Sequence, residues 1–155
     1  MPSTGTILVV DDSPDDVQLL LRTFTQVGVQ NPIHVCTGGA EALQYLFDTH
    51  NEPPALVLLD LKMPGTDGFH VLSKLKSHPI LKDVIVIVLT TSADLGDVHL
   101  AYQLGANSFL TKPFDLEEFR GTVAAFHQYW LLRNQPAPKR GKLIKKPSPL
   151  DELND

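Results

Sequence analysis

Three acidic side chains follow apolar runs at two widely separated points of the chain. Asp60 comes directly after residues 55–59, and Asp11 and Asp12 come directly after residues 7–10. Such runs are typical of buried strands, and open α/β sheets place their chemistry beyond the carboxyl ends of their strands. The pattern therefore predicts that the three carboxylates lie at one edge of a parallel sheet.

A hydroxyl and a cation follow two further segments that are interpreted as strands. Thr90 comes after residues 84–89, and Lys112 comes after residues 107–111. If all the strands are parallel, both side chains join the carboxylates at the same edge. An aspartate beside an ammonium, a hydroxyl and a metal ion is suited to phosphoryl transfer, because these groups position the phosphoryl group and neutralise its charge.

Three carboxylates at one point require a cation, because they would otherwise repel one another. Oxygen ligands from Asp11, Asp12 and Asp60, together with a backbone carbonyl and water, suit Mg²⁺. Zinc is disfavoured because the sequence has no cluster of Cys or His residues at metal-binding spacing. We expect all six histidines to be ordinary surface or partly buried residues: His34, His50, His70, His78, His99 and His127.

Each of these side chains also has a purely structural interpretation. The acids within residues 11–16 could stabilise the N-terminus of the first helix by about a few tenths of a kcal/mol. Asp60 could cap a loop, Thr90 could cap the fourth helix, and Lys112 could be a solvated surface charge. Taken singly, these alternatives have about the same weight as a functional role, and it is the joint arrangement that favours function.

Apolar runs alternate with segments of helical periodicity, which predicts five βα units around one sheet. The first helix is expected to begin at Pro14, with Ser13 as N-cap and Asp16 as the acid of a capping box. Gly105 is placed to end the fourth helix in the left-handed conformation. The later helices are expected after Gly39 and over residues 67–77, 94–104 and 116–132.

Composition predicts a single domain, because 155 residues with 43% hydrophobic content can bury one core. We interpret residues 1–134 as this domain and residues 135–155 as a Pro- and Lys-rich tail that is extended or disordered. Residues 1–133 hold 8 basic and 15 acidic side chains, which disfavours direct binding of nucleic acid. The sequence has no membrane-spanning stretch or signal peptide, so we expect a cytoplasmic protein. Cys36 is expected to be a buried strand thiol.

The chain resembles the receiver domains of two-component response regulators over about residues 5–130. The matching motifs are residues 7–12, 58–68, 88–92 and 105–114, which agree in order and spacing. The resemblance implies a flavodoxin-like three-layer α/β sandwich, with five helices and five parallel strands in the order 2-1-3-4-5.

The same resemblance implies roles for the acidic residues. Asp60 would accept a phosphoryl group from a phosphohistidine of a histidine kinase. Asp12 would bind Mg²⁺ directly, Asp11 would bind it directly or through water, and Lys62 would contribute its backbone carbonyl. The resulting acyl phosphate hydrolyses spontaneously, which indicates a timed signal rather than a turnover enzyme.

Further roles implied by the resemblance concern the conformational response. Lys112 would pair with one phosphoryl oxygen and Thr90 would hydrogen-bond another, while Phe109 would turn inward as Thr90 moves. Lys62 and Ser92, two residues after Asp60 and after Thr90, would flank the path of the hydrolytic water. A lysine at position 62 could crowd or polarise that path, and the alternative is that Lys62 is simply solvated.

Output is expected through protein binding, since the residues after about 134 leave no room for a DNA-binding or enzymatic domain. The expected surface comprises the fourth helix, the fifth strand and the fifth helix. Residues 101–108 and 129–131 also resemble the stand-alone response regulators that serve bacterial and cyanobacterial phytochromes. This narrower resemblance implies a phytochrome-type kinase as partner and a homodimer.

Two other function classes compete with the signalling interpretation. A phosphatase of the haloacid-dehalogenase type needs a second acid two residues after its nucleophile, and Lys62 occupies that position. A flavodoxin-like binder of a cofactor needs a phosphate-cradling loop rich in Gly, Ser or Thr, whereas residues 11–16 are mainly acidic. Both alternatives are therefore weaker than a phosphorylatable binding module.

Overall fold

The computed structural model describes residues 3–138, and it confirms a five-stranded parallel sheet flanked by helices. The strands lie in the order β2-β1-β3-β4-β5. They are β1 (Ile7–Val10), β2 (Ile33–Cys36), β3 (Leu56–Leu59), β4 (Ile85–Thr90) and β5 (Ser108–Thr111). The helices are α1 (Pro14–Val27), α2 (Gly39–Phe47), α3 (Gly68–Ser77), α4 (Leu95–Gln103) and α5 (Leu116–Phe126).

The strand side chains are apolar on both faces of the sheet because helices cover both faces, which is typical of parallel sheets. One face packs against α2, α3 and α4, and its core includes Leu8, Val57 and Val86. The other face packs against α1 and α5, and its core includes Val9 and Leu58. The expected three-layer α/β sandwich is therefore confirmed.

The parallel register brings the carboxyl ends of the central strands to one level. Val10 of β1 pairs with Leu59 of β3, and Leu59 pairs with Val88 of β4. Thr90 ends β4 opposite Thr111 of β5. The residues that follow these strand ends therefore share one edge, which we call the carboxyl edge of the sheet.

Helix starts agree with the sequence predictions, with one exception in the capping. Ser13 caps α1 by accepting a hydrogen bond from the amide of Asp16 at 3.3 Å. The predicted capping box is wrong, because the amide of Ser13 donates to Asp11 Oδ1 at 2.9 Å and not to Asp16. Gly105, at φ 107°, takes the left-handed conformation after α4 as expected.

The last helix differs from its prediction of one α-helix over residues 116–132. The α-helix ends at Phe126, and residues His127–Arg133 form a π-helical segment. This wider winding turns His127 and Leu131 into the core, so the expectation of a surface or partly buried His127 is wrong. Burial accordingly lowers the pKa of His127.

The predicted tail, residues 135–155, lies outside the described residues from position 139 onward. Cys36 is a buried free thiol at the end of β2, as expected, and burial raises its pKa to about 11. None of the helices in residues 3–138 is long and apolar enough to cross a membrane.

Candidate functional site

The carboxyl edge of the sheet brings together three acids that are distant in sequence. One carboxylate oxygen from each of Asp11, Asp12 and Asp60 lies within 4.8 Å of the other two. Asp11 and Asp60 are buried, whereas Asp12 is exposed. Hydrogen bonds that extend the sheet hold two of them, because the amide of Asp60 donates to the Val10 carbonyl at 2.9 Å and the amide of Asp11 donates to the Cys36 carbonyl at 3.1 Å.

The ammonium group of Lys112 reaches into this cluster from the end of β5. Lys112 Nζ lies 2.7 Å from Asp11 Oδ2 and 3.5 Å from Asp60 Oδ2, and its side chain is only 11% exposed. A third acid, Asp16 of α1, lies 2.9 Å from the same nitrogen. Lys112 is therefore a buried counter-charge rather than a solvated surface lysine.

The role of Asp16 could not be read from the local sequence. Its spacing from Ser13 predicted a capping box, but its carboxylate instead turns toward Lys112, which is 96 residues away in sequence. Such a pair depends on how α1 and β5 lie across the sheet, and no pattern within the first helix indicates it.

Ionisation in the cluster reflects both burial and charge. Burial raises the pKa of Asp11, and hydrogen bonds from Lys112 and from the Ser13 amide offset only part of that rise. Burial alone would lower the pKa of Lys112, but hydrogen bonds to Asp11 and Asp16 outweigh it and raise that pKa. One ammonium therefore leaves excess negative charge among the acids.

The excess negative charge and the type of donor atom indicate whether these residues suit a divalent cation. All the donors are carboxylate oxygens, which Mg²⁺ and Mn²⁺ prefer, and the carboxylates of Asp11, Asp16 and Asp60 share the ammonium of Lys112. The backbone of Lys62 follows the acceptor closely, since its amide lies 3.4 Å from Asp60 Oδ1. The donor set therefore fits the predicted divalent metal site.

Thr90 lies fully buried at the end of β4, and its hydroxyl accepts a hydrogen bond from the amide of Ser92 at 3.4 Å. The expectation that Thr90 could cap α4 is wrong, because Asp94 caps that helix through the amides of Gly96 and Asp97. Thr90 is thus held at the carboxyl edge with no capping duty.

Phe109 is a partly buried residue of β5 that packs against the core beneath α4. Its amide donates to the Tyr102 hydroxyl on α4 at 3.1 Å, so the outer edge of β5 is tied to that helix. This position, between the sheet and α4, is compatible with the predicted switch role.

Lys62 contacts α4 rather than being only solvated. Its ammonium lies 3.1 Å from Asp97 Oδ2 and 5.9 Å from the centre of the Phe69 ring. Ser92 donates to the same Asp97 oxygen at 2.8 Å. The two side chains that follow Asp60 and Thr90 by two positions are therefore joined through Asp97, which sequence reasoning did not single out.

Two glycines allow the close approach of loops near Asp60. A Cβ at Gly68, the first residue of α3, would overlap the carbonyl oxygen of Asp60 and lie 2.7 Å from Leu61 Cα. A Cβ at Gly39 would likewise overlap the carbonyl of Thr66. The start of α3 therefore packs directly on the backbone that carries the candidate acceptor.

Comparisons with known proteins give the family. The model of the response regulator receiver domain matches residues 7–124. The probable methanogenesis regulatory protein FilR2 of Methanothrix harundinacea is 38% identical over 137 residues, which cover 85% of this chain and 88% of that protein. Response regulator Rcp1 of Synechocystis is 35% identical over 129 residues, covering 81% of this chain and 88% of Rcp1.

Solved structures agree with this assignment. The crystal structure of the Mn²⁺-bound form of Rcp1 has a TM-score of 0.80 at 31% identity and covers 86% of this chain and 99% of that one. The phosphorylated cyanobacterial phytochrome response regulator RcpA has a TM-score of 0.81 at 31% identity, with coverages of 88% and 100%. The chain therefore belongs to the response regulator receiver domains of two-component signalling, and it is similar to the single-domain regulators associated with phytochromes.

Proposed function

We propose that the chain accepts a phosphoryl group on Asp60 from a phosphohistidine of a histidine kinase. The observation that carries this proposal is the convergence of three carboxylates, one buried ammonium and one buried hydroxyl at the carboxyl edge. Asp60 is the central carboxylate, because it directly follows β3, which lies between the strand that precedes Asp11 and the strand that ends at Thr90. The phosphorylated state of the similar protein RcpA supports the same chemistry here.

The proposed transfer forms one bond and breaks another. A carboxylate oxygen of Asp60 attacks phosphorus, the P–N bond to the kinase imidazole breaks, and that imidazole leaves with its electron pair and takes up a proton. Lys112, already 3.5 Å from Asp60, then pairs with a phosphoryl oxygen. Little covalent assistance is needed, because phosphoryl transfer depends mainly on positioning and charge neutralisation.

We assign Mg²⁺ as the metal, held by the carboxylates of Asp11, Asp12 and Asp60 and by the backbone carbonyl of Lys62. When bound, Mg²⁺ would neutralise negative charge on the phosphoryl oxygens. The phosphoryl group is then lost by hydrolysis, in which water attacks phosphorus and gives up a proton, the O–P bond to Asp60 breaks, Asp60 leaves as a carboxylate with the electron pair, and inorganic phosphate is released. The chain thus takes part in its own phosphorylation and dephosphorylation without acting as a turnover enzyme.

The proposed readout is a switch between Thr90 and Phe109. The buried hydroxyl of Thr90 would move toward the phosphoryl group, and the space left behind would admit the ring of Phe109. Because the Phe109 amide is hydrogen-bonded to the Tyr102 hydroxyl, this movement would be transmitted to α4. The signal would then pass to the surface formed by α4, β5 and α5.

We infer that this surface binds protein partners, including a second copy of the chain. Leu95, Leu100 and Tyr102 are exposed on α4, and a groove of about 610 Å³ runs between β5 and the end of α5, where Leu110 and Trp130 line it. Aromatic residues in such grooves often anchor interfaces. Sedimentation of the protein with and without fluoroberyllate tests this, since stronger self-association of the activated form is expected and equal association would contradict it.

The proposed setting is a cytoplasmic pathway in which a phytochrome-type histidine kinase is the phosphoryl donor. Support comes from the similarity to RcpA and to the bacteriophytochrome response regulator AtBRR, which has a TM-score of 0.68 at 34% identity. We assign residues 1–134 to the receiver domain and residues 135–155 to a tail. Direct binding of nucleic acid is not part of the proposed function, because residues 1–133 hold 8 basic and 15 acidic side chains.

The function is tested by the intact mass of the protein after incubation with acetyl phosphate and Mg²⁺. We expect one added phosphoryl group, which is absent from Asp60→Asn and from a sample treated with chelator. An unmodified wild-type protein, under conditions where a known receiver domain is modified, would contradict the proposal.

A further inference from the structure

Hydrogen bonds and one ion pair connect four polar residues, Thr90, Ser92, Asp97 and Lys62. They link the loop after Asp60 to the start of α4. The amide of Ser92 donates to the Thr90 hydroxyl, the Ser92 hydroxyl donates to Asp97 Oδ2 at 2.8 Å, and Lys62 Nζ lies 3.1 Å from that same oxygen. Asp97 therefore contacts both of the side chains that follow Asp60 and Thr90 by two positions.

Asp97 is well placed to hold a cation. Its side chain is only 19% exposed, whereas that of Lys62 is 58% exposed, so the carboxylate is the better fixed partner of the pair. Two donors, the Ser92 hydroxyl and the Lys62 ammonium, meet at one oxygen of this carboxylate, at 2.8 Å and 3.1 Å. The Lys62 ammonium also lies over the Phe69 ring, 5.9 Å from its centre, which favours this direction of the side chain.

Lys62 has another attractive destination when Asp60 carries a phosphoryl group. Its backbone lies next to the acceptor, with the amide 3.4 Å from Asp60 Oδ1, and its flexible side chain is long enough to turn back toward the site. Asp11, Asp12 and a phosphorylated Asp60 would carry more negative charge than Lys112 and one divalent cation neutralise. A freed Lys62 ammonium would therefore be drawn to the phosphoryl oxygens.

We propose that Asp97 is a positioning residue that holds the Lys62 ammonium away from the phosphoryl group and thereby shortens the lifetime of phosphorylated Asp60. This inference rests on the proposed phosphorylation of Asp60. An ammonium on the phosphoryl oxygens would occupy the side from which water approaches. It would also stabilise the phosphorylated ground state at least as well as a loose transition state, in which the charge is dispersed.

The test measures the decay of the phosphorylated form by intact mass after acetyl phosphate is removed, in the presence of Mg²⁺. Asp97→Asn keeps the shape and lets Ser92 donate to the amide oxygen, but it removes the charge that holds Lys62. We expect its phosphoryl lifetime to be about threefold longer or more than that of the wild type, from the energy of a partly exposed ion pair. Glu118→Gln removes one exposed acid of α5 and serves as the charge-matched control, with no change expected.

A double-mutant cycle shows whether the effect passes through Lys62. In the Lys62→Met background, Asp97→Asn is expected to leave the lifetime unchanged. A second readout is the affinity for fluoroberyllate, a phosphoryl mimic that undergoes no hydrolysis, which Asp97→Asn should increase only when Lys62 is present. A purely structural role of Asp97 would not produce this dependence on Lys62.

The outcomes separate this inference from the proposed function. If no variant is phosphorylated, the wild type included, the proposed function itself fails. If phosphorylation occurs but Asp97→Asn leaves the lifetime unchanged or shortens it, the positioning role is overturned. A longer lifetime that persists in the Lys62→Met background would also overturn it, because the effect would then not act through Lys62.

Discussion

The two ends of the parallel sheet differ in the groups that surround their lysine side chains. At the carboxyl edge, Asp11, Asp60 and Asp16 crowd around the single ammonium of Lys112. At the amino edge, where the strands begin, Lys76 Nζ instead donates to the Val84 carbonyl at 2.7 Å and to the Lys82 carbonyl at 3.1 Å. Lys112 therefore contacts carboxylates that repel one another at the carboxyl edge, whereas Lys76 contacts backbone carbonyls at the amino edge.

Hydrogen bonds at the amino edge also connect the segment before β1 to later parts of the chain. Asn31 donates to the carbonyls of Ser3 and Gly5 at 2.9 and 2.8 Å, and the Ser3 amide donates to the Leu131 carbonyl at 2.7 Å. These contacts satisfy backbone groups that would otherwise be costly to bury. This fold therefore pairs its polar groups at the amino edge and holds excess negative charge at the carboxyl edge, where we propose that a cation and a phosphoryl group bind.

The largest effect is expected from Gly68→Ala, which would force the start of α3 away from Asp60. The added Cβ overlaps the Asp60 carbonyl, and backbone atoms relieve such overlap only by moving, so we expect a loss of about 3 kcal/mol in the free energy of unfolding. The matched control is Gly121→Ala in α5, where a Cβ meets no atom within 4 Å. Urea denaturation measures both, and an equal effect of the two substitutions would contradict the account.

The next effect concerns the counter-charge at the carboxyl edge. Lys112→Met leaves Asp11 and Asp60 without their buried cation, and we expect a loss of about 2 kcal/mol in the free energy of unfolding without divalent ions. Mg²⁺ should stabilise this variant more than it stabilises the wild type, because the metal then replaces the missing charge. Denaturation with and without Mg²⁺ measures the difference, and identical stabilisation of the two proteins would count against a shared site.

A smaller effect is expected at the amino edge. Lys76→Met removes hydrogen bonds to backbone carbonyls but keeps most of the packing of the stem, so we expect a loss of about 1 kcal/mol. Because no acid cluster is involved, Mg²⁺ should leave this loss unchanged, and phosphorylation by acetyl phosphate should proceed at the wild-type rate. A strong dependence of the Lys76→Met loss on Mg²⁺ would erase the distinction between the two edges.

The smallest effect is a dependence of stability on pH. The folded pKa of Asp11 is raised above 3.8, so its favourable contribution is complete below that pH and is lost as the pH rises through the folded pKa. In the absence of divalent ions, Asp11→Asn should therefore improve in stability relative to the wild type as the pH rises from about 4 to 7. Denaturation across this range measures the trend, and a relative loss with rising pH would show that the Lys112 contact outweighs burial.

The sequence was sufficient to predict the architecture and most of the carboxyl edge. Short continuous apolar runs and segments of helical periodicity, with caps such as Ser13 and the left-handed Gly105, located the strands and helices. Asp60, Thr90 and Lys112 could be placed because Asp60 and Lys112 directly follow strands and Thr90 ends one, and parallel strands end at one edge.

The contacts made by helix residues could not be predicted in this way. Asp16 and Asp97 lie within helices, where an acid near the N-terminus has a sufficient local explanation in capping or the helix dipole. Their contacts with Lys112 and Lys62 depend on how each helix lies across the sheet. The π-helical winding after Phe126 was missed for a related reason, because the apolar pattern of residues 126–132 is compatible with either winding.

The most direct test of the central claim identifies which carboxylate carries the phosphoryl group. The protein is treated with acetyl phosphate and Mg²⁺ and then with borohydride, which reduces an acyl phosphate to the alcohol and so converts the modified aspartate to homoserine. Peptide mass spectrometry then locates the homoserine among Asp11, Asp12 and Asp60. The account predicts homoserine at position 60 alone, whereas homoserine at position 11 or 12, or at none of the three, would contradict it.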